Sequence, residues 1–394
     1  MKNEKAGIAQ GIIIAGVSIL PIMAVVTLMP VIPTIRNHFS YIPYINILAP
    51  LVISAPGLCV ALFAPYAGFL ADKIGRRKLL LVFTFLYGIG GVLPFFVENF
   101  SLLLGSRFIL GIGEAFILTV SNALLGDYFE ESRRNTWIML QNIIGPAFAF
   151  FIISTSGYLS SIGWQYPFLL YSFTFLITIG VYFFIYEPKK KVISSVDKLK
   201  ETVIDKFPLN LILKVAVTTF IASLLYYVYT LQFALALDIK GITDPEKVGN
   251  ITAMASLMVP VGAIVFKVFG KKSNRLQFGI MFTLIGLGLI GIGLSNSLNA
   301  VIASAFVQQL GCGMAIPVLI AYGLRSVPAK YRGRGMGFWS SGFFLGLFLS
   351  PFAVGIVSEI TGGLLSAFVV FGIICMVLAA LNWFFSSSEP QLSE

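Results

Sequence analysis

Long apolar runs recur along the whole chain, and they constrain its fold more than any other feature. Segments such as Ile8–Ile32 and Leu79–Val97 contain no charged residue, and runs of about 20 residues can cross the roughly 30 Å hydrocarbon core of a bilayer as helices. Because lipid offers no hydrogen-bond partners, a spanning backbone must pair within its own segment or in a closed barrel. A barrel needs short alternating strands, which these continuous runs exclude. The sequence predicts an all-α membrane protein.

The composition supports a membrane location. Hydrophobic residues make up 57% of the chain and charged residues only 11%, whereas soluble domains carry about 25% charged residues. The net charge of +10 would suggest a nucleic-acid partner in a soluble protein. Here the basic residues lie in short loops between apolar runs, so we expect the lipid bilayer, and no nucleic acid, as the partner.

The apolar runs define twelve predicted spans in two groups of six. The longest hydrophilic stretch, residues 189–208, is interpreted as a cytoplasmic linker between an N-terminal bundle, residues 1–188, and a C-terminal bundle, residues 209–394. The predicted spans cover residues 8–33, 46–70, 79–97, 101–125, 136–158, 165–186, 209–236, 247–269, 277–295, 299–325, 334–357 and 364–386.

The distribution of basic residues predicts the orientation. If both termini face the cytoplasm, all but four of the 27 lysines and arginines lie in inner segments. The exceptions are Arg36, Lys240 and Lys247 in outer loops and Arg107 inside the fourth span. Because cytoplasmic loops carry an excess of basic residues, we expect a multi-pass protein of the bacterial plasma (inner) membrane with both termini inside.

The polar residues argue against an enzyme or a metalloprotein. The three cysteines, Cys59, Cys312 and Cys375, lie in apolar segments without metal-ligand spacing. The only histidine, His38, falls in a predicted outer loop, and no cluster of catalytic groups occurs within the spans. We therefore expect neither a cofactor nor catalysis.

Two similar segments lie 200 residues apart. Leu-Gly-Ile-Gly-Glu-Ala at residues 110–115 recurs as Leu-Gly-Cys-Gly-Met-Ala at residues 310–315. Each segment belongs to the fourth span of its half, which favours two pseudo-symmetric six-helix bundles.

Two charges lie inside the fourth predicted span. Arg107 and Glu114 are seven residues apart, which places them on one helix face about 10.5 Å apart along the axis. Charged side chains in a bilayer are costly and usually functional. Loss of water favours the protonated carboxyl and a nearby arginine favours the carboxylate, so Glu114 is a candidate proton site. The alternative is a static Arg107–Glu114 pair that supports packing.

The loop after the second span carries the most specific motif. Residues 68–78 read Gly-Phe-Leu-Ala-Asp-Lys-Ile-Gly-Arg-Arg-Lys, which resembles the signature loop of the major facilitator superfamily. The resemblance covers the whole chain through span number, topology and the half-repeat. It implies the major facilitator fold and transport by alternating access.

The resemblance also implies a gate at this loop. Its residues are Gly68, Asp72, Gly75, Arg76 and Arg77, and in the family the aspartate meets the start of helix 11, here near residues 335–337. From the physics of the residues, the glycines permit close helix contact and a tight turn, and Asp72 can meet Arg76 or a helix N-terminus. The acidic and basic residues at 127–134 are expected to form a charge cluster with Arg76 or Arg77; the alternative is a solvated loop.

Two further segments resemble family motifs. Arg107 and Gly111 match the helix-4 pattern R-x-x-x-G, whose arginine is associated with proton coupling in the family. Gly145 and Pro146 resemble part of the helix-5 motif of drug antiporters, although Ala149 and Phe150 replace its closing glycines.

Several amide and aromatic side chains are candidates for an apolar substrate cavity with a few orienting hydrogen bonds. The substrate-binding candidates are Tyr226, Tyr229, Gln232, Gln141, Asn142, Gln308 and Trp339, with Tyr227, Gln309 and Phe343 beside them.

These features predict a proton-coupled secondary transporter that acts as a monomer. The resemblance to twelve-helix drug–proton antiporters favours export of small hydrophobic or amphiphilic organic molecules. A siderophore or metabolite exporter, or a proton-coupled organic-anion importer of the same fold, remains an alternative, because the helix-5 motif is incomplete and helix 4 also resembles that of some organic-anion symporters.

Overall fold

The computed structural model describes residues 7–188, 208–269, 273–328 and 331–384, and these ranges contain twelve helices long and apolar enough to cross a membrane. No strand occurs within them. The helices are α1 (Ile8–His38), α2 (Ile45–Ile74), α3 (Arg76–Phe96), α4 (Phe100–Tyr128), α5 (Ser132–Ile162), α6 (Tyr166–Phe184), α7 (Leu209–Ile239), α8 (Pro245–Phe269), α9 (Asn274–Leu294), α10 (Leu298–Ser326), α11 (Arg332–Thr361) and α12 (Leu364–Trp383).

The predicted all-α membrane fold is confirmed, and every predicted span has its helix. The largest differences are at helix ends, because polar residues next to an apolar run continue the helix into the loops. For example, α3 begins at Arg76 and leaves only Gly75 between it and α2. The proposed linker, residues 189–208, lies outside the described residues except for Pro208.

Helix packing repeats between the two halves with an offset of six helices. Within the N-terminal half, α2 packs on α4, α3 on α4 and α6, and α1 on α5. Within the C-terminal half, α8 packs on α10, α9 on α10 and α12, and α7 on α11. Between the halves, α2 meets α11 and α5 meets α8. The offset of six helices relates α2 to α8 and α5 to α11, so it converts each of these contacts into the other. The packing is therefore pseudo-symmetric.

The helix α1 is interrupted between Val26 and Ile32, where proline breaks the backbone ladder. Residues Met29–Val31 form a 3-10 turn that includes Pro30, and the interruption leaves backbone carbonyls without their usual helical partners. The Tyr171 hydroxyl of α6 donates to Ala24 O at 3.2 Å, and the Ser156 hydroxyl of α5 donates to Thr27 O. Side chains of two neighbouring helices thus satisfy the broken segment within the membrane.

Glycines allow the two halves to approach closely. A Cβ on Gly157 of α5 would lie 2.7 Å from the Cα of Gly249 of α8, and a Cβ on Gly57 of α2 would lie 2.9 Å from Phe344 O of α11. Small residues at helix crossings are the usual means of close packing in membranes. Larger side chains at Gly157 or Gly249 would force the halves apart.

Candidate functional site

The two halves are joined at one end of the molecule and separated at the other. We call the end that carries residues 73–78 and 331–334 the basic end, and the end that carries the α1–α2 connection the opposite end. At the opposite end, Arg36 Nη2 of α1 lies 2.6 Å from Asp238 Oδ2 of α7. Together with the glycine contact between α5 and α8, this ion pair closes the opposite end.

A cleft opens between the halves towards the basic end. Near the middle of α11, Ser341 Oγ donates to Ala61 O of α2 at 3.1 Å. From there to the basic end most residues of 62–73 in α2, and of 132–148 in α5, are exposed or half-buried. The contact of α5 with α8 is made mainly by Pro245–Ser256, the part of α8 nearest the opposite end, so the halves separate towards the basic end and leave the cleft open there.

The signature loop is held inside the N-terminal half. Gly75 has a φ of 109°, which favours glycine, and a Cβ there would lie 2.9 Å from Glu187 Oε2. The Glu187 carboxylate, just after α6, accepts hydrogen bonds from the backbone N–H groups of Arg76 at 2.7 Å and Arg77 at 3.0 Å. It thereby satisfies the first turn of α3. Glu187 was not among the residues predicted from the sequence, although an acidic residue directly after an apolar run is a usable signal.

The two loop arginines bind to different neighbouring helices. Arg76 forms an ion pair with Asp127 at the end of α4 and donates to Ala123 O at 3.1 Å. Arg77 donates to Tyr182 O of α6 at 2.7 Å. Of the predicted charge cluster between the loop arginines and residues 127–134, the contact of Arg76 with Asp127 is confirmed.

Two other loop residues make looser contacts. The Asp72 side chain is 76% exposed and lies 3.6 Å from Arg76, with no hydrogen bond or ion pair to the described part of α11. Gly68 does not make the close helix contact that was expected of it, because a Cβ there would meet nothing nearer than Thr119 Cγ2 at 3.8 Å. The gating role of the loop stays a prediction, and it requires Asp72 to find its partner when the basic end closes.

Arg107 is engaged by the backbone and by aromatic rings. Its side chain is 1% exposed, and Nη2 donates to Gly90 O at 2.5 Å and to Gly91 O at 3.1 Å, where α3 tightens into a 3-10 turn. The guanidinium also lies 5.1 and 5.2 Å from the ring centres of Phe168 and Tyr171. Arg107 forms no ion pair with Glu114 among the described residues, so the static pair weighed from the sequence does not form.

Glu114 is a buried carboxyl group that lacks a counter-charge. Its side chain is 3% exposed, and Oε2 accepts no hydrogen bond from the described residues. Gly111, one turn earlier, packs α4 closely against Pro56 and Cys59 of α2, which places Glu114 beside the helix that contacts α11. An unpaired carboxylate in this environment is costly, whereas a protonated carboxyl is tolerated.

The C-terminal half contributes an aromatic cluster, which consists of Tyr226, Tyr227, Trp339 and Phe343. Trp339 stacks on Phe343 with ring centres 5.4 Å apart, and Tyr227 meets Phe343 edge-on at 5.6 Å. Tyr226 meets Tyr227 at 4.7 Å, and the indole Nε1 of Trp339 has no hydrogen-bond partner in the described ranges. Phe344, next to Phe343, is the residue against which Gly57 packs. The cluster therefore lies beside the α2–α11 interface.

The remaining candidates make contacts within their own bundles. In the N-terminal half, Gln141 Nε2 donates to Ser18 Oγ of α1 at 3.0 Å, and Gly145, next to Pro146, packs against Ile22 of α1. The Asn142 side chain lies outside the described residues.

In the C-terminal half, three candidates are buried. Tyr229 is fully buried and stacks on Phe233 with ring centres 4.4 Å apart. Gln232 is also buried, and Gln308 Nε2 contacts Cys312 Sγ at 3.1 Å. The structure thus gathers Glu114 and the aromatic cluster near the α2–α11 interface, whereas these three residues belong to the packed interior.

Comparison with known proteins identifies the family. The sequence model of the Major Facilitator Superfamily matches residues 12–275 and 215–394, which together cover nearly the whole chain. The chain belongs to the Major Facilitator Superfamily. It is therefore a membrane transporter and not an enzyme, as the sequence analysis expected.

Among characterised superfamily members, the chain is similar to bacterial exporters. It is 24% identical over 344 residues to the bacillibactin exporter of Bacillus subtilis (strain 168), covering 82% of this chain and 83% of that protein. It is 21% identical over 325 residues to the quinolone resistance protein NorA of Staphylococcus aureus (strain MSSA476), covering 79% and 80% of the two chains.

Solved structures of superfamily members share the fold. A bacterial homologue of the human lysosomal transporter Spinster, in an inward-facing and occupied conformation, superposes with a TM-score of 0.79 at 14% identity, covering 96% of both chains. The D-xylose–proton symporter superposes with a TM-score of 0.76 at 13% identity, covering 96% and 97%. At these identities the similarity establishes the fold alone.

Proposed function

We propose that this transporter is a proton-coupled exporter of small hydrophobic or amphiphilic organic molecules. The observation that carries the proposal is Glu114, a buried carboxyl group without a counter-charge beside the interface between the halves. The similarity to exporters supports export as the direction. The aromatic cluster supports an apolar substrate, because its rings offer large contact area and few charges.

The mechanism we propose couples Glu114 to alternating access. The halves rock about the central site, and proton binding at Glu114 competes with substrate binding, so that inward proton flow drives export. We further propose that the basic end faces the cytoplasm with both termini, as the distribution of basic residues indicates, and that the chain acts as a monomer with the N-terminal and C-terminal bundles as its two rigid units.

A siderophore exporter is the second candidate, favoured by the similarity to the bacillibactin exporter. Organic-anion import has less support from the site. Arg107, the arginine buried in α4, is engaged by the carbonyls of Gly90 and Gly91, so its guanidinium is not offered to an anionic substrate in the cleft.

The experiment compares the wild-type protein with Glu114→Gln in proteoliposomes under an imposed pH gradient. The probes are a quinolone and bacillibactin, the compounds after which the two similar exporters are named. We expect gradient-driven transport of one probe by the wild type and its loss in Glu114→Gln to the level of protein-free liposomes, because the amide cannot take up and release a proton.

The matched control is Glu98→Gln, which makes the same chemical change at an exposed position in the connection between α3 and α4. It should transport like the wild type. Undiminished gradient-driven transport by a folded Glu114→Gln variant would remove Glu114 from the coupling mechanism. Transport of bacillibactin alone would select the siderophore exporter.

A further inference from the structure

Four titratable side chains on other helices lie within electrostatic range of Glu114. They are Cys59 of α2, Tyr87 of α3, Tyr171 of α6 and Tyr227 of α7. Two other helices that pack on α4 add none at this depth, because residues 8–35 of α1 and 136–157 of α5 contain no titratable residue. Arg107, on the helix of Glu114, is engaged by backbone carbonyls. Of the four groups, only Tyr227 belongs to the C-terminal half.

The three groups in the N-terminal half already donate elsewhere. The Tyr87 hydroxyl donates to Leu20 O at 2.6 Å and the Tyr171 hydroxyl to Ala24 O at 3.2 Å, both in α1. The Cys59 thiol approaches Phe108 O at 3.4 Å. The two phenols support α1 and the thiol supports the α2–α4 contact, so these donors are not available to Glu114.

Tyr227 differs from these three groups because its hydroxyl forms no hydrogen bond with the described residues. Its position is set by packing, since the ring meets Phe343 edge-on at 5.6 Å and Tyr226 at 4.7 Å. Phe344, which follows Phe343 in α11, contacts Gly57 of α2, and α2 is the helix beside Glu114. Packed side chains therefore hold the Tyr227 phenol on the C-terminal side of the α2–α11 interface, while Glu114, whose Oε2 lacks a hydrogen-bond partner in the described ranges, lies beside α2 on the N-terminal side.

We propose that Tyr227 is a positioning residue for proton coupling, and that its hydroxyl donates a hydrogen bond to the Glu114 carboxylate across the interface between the halves. The inference rests on the proposed role of Glu114. A donor to the ionised carboxylate favours release of the proton. Because donor and acceptor belong to different halves, rocking of the halves makes and breaks the bond, and proton release becomes dependent on conformation.

The test is an infrared titration of the protein in liposomes, which needs no transported substrate. The Glu114 carboxyl band is assigned as the protonated-carboxyl signal that disappears in Glu114→Gln. Tyr227→Phe keeps the ring and its packing on Phe343. In this variant we expect the pH at which half of the band has disappeared, its titration midpoint, to rise by about one pH unit, because the carboxylate has lost a hydrogen-bond donor. Tyr226→Phe removes the neighbouring hydroxyl and should leave the midpoint unchanged.

The outcomes separate the inference from the proposed function. If Glu114→Gln removes the band and Tyr227→Phe leaves the midpoint where it is in the wild type, or moves it no more than Tyr226→Phe does, the inference is overturned while the proton site stands. If no titrating band depends on Glu114, the proposed proton site itself fails. A melting temperature equal to that of the wild type shows that Tyr227→Phe is folded.

Discussion

Arg36 and Asp238 form an ion pair that joins the two halves across the opposite end. Nη2 of Arg36 lies 2.6 Å from Oδ2 of Asp238, and the two side chains are only 21% and 11% exposed. Among the ion pairs of the described residues it is the one that connects α1 to α7; the others lie within the signature loop and its neighbours. Partial burial reduces screening by salt, so the pair favours the conformation that is closed here.

Breaking this pair should shift the molecule towards the conformation open at the opposite end. We expect Asp238→Ala to destabilise the conformation that is closed at the opposite end by about 1 kcal/mol. This changes the population ratio of the open and closed conformations roughly fivefold in favour of the open one. Spin labels on cysteines introduced at the exposed positions Tyr41 and Lys247, one in each half, measure the distance across the opposite end. The longer distance should gain population in the variant.

A charge swap is the control for this prediction. The double variant with Arg36→Asp and Asp238→Arg rebuilds the pair in reverse and should return the distance distribution towards that of the wild type. A swap that behaves like Asp238→Ala would show that local packing, and not the ion pair, closes this end. The three native cysteines are buried, which limits background labelling.

Gly157 should be as important for closure as the ion pair. A Cβ at this position would lie 2.7 Å from the Cα of Gly249, and backbone atoms cannot move aside as a flexible side chain can. We expect Gly157→Ala to destabilise the closed opposite end by about 1–3 kcal/mol, measured with the same pair of spin labels.

The matched control for Gly157→Ala is Gly105→Ala in α4, where a Cβ would meet nothing within 4 Å. This change should leave the distances across the opposite end unaltered. Equal behaviour of the two variants would mean that the close contact of α5 with α8 does not hold the halves together.

Arg107→Lys separates structural support from proton coupling. The arginine donates to Gly90 O and Gly91 O and lies beside two aromatic rings, an arrangement that the planar guanidinium suits and an ammonium does not. We expect the variant to lose about 2 kcal/mol of stability, seen as a lower melting temperature in detergent, while the pH dependence of transport is kept.

The opposite result would support the role that the resemblance implied. An Arg107→Lys protein with the melting temperature of the wild type but without gradient-driven transport would assign Arg107 to coupling. The two results cannot be confused, because melting temperature and pH dependence are measured independently.

The amino-acid sequence alone was enough to predict most of the fold. The need of a spanning backbone to pair within its own segment made each apolar run a helix, and the similarity of residues 110–115 to 310–315 indicated the two matching halves. The contact of Arg76 with Asp127 was also predictable, because both residues lie in short loops at the same end of adjacent spans.

The tertiary structure decided what the buried charges do. Arg107 and Glu114 lie seven residues apart on one helix, and the spacing alone allowed them to pair. Only the packing of α3 and α6 brings carbonyls and rings to Arg107, and only the packing of α2 on α4 buries Glu114 with its Oε2 unpartnered among the described residues. Sequence periodicity indicates which face of a helix a residue occupies. It does not indicate which other helix covers that face, because this depends on contacts between distant parts of the chain.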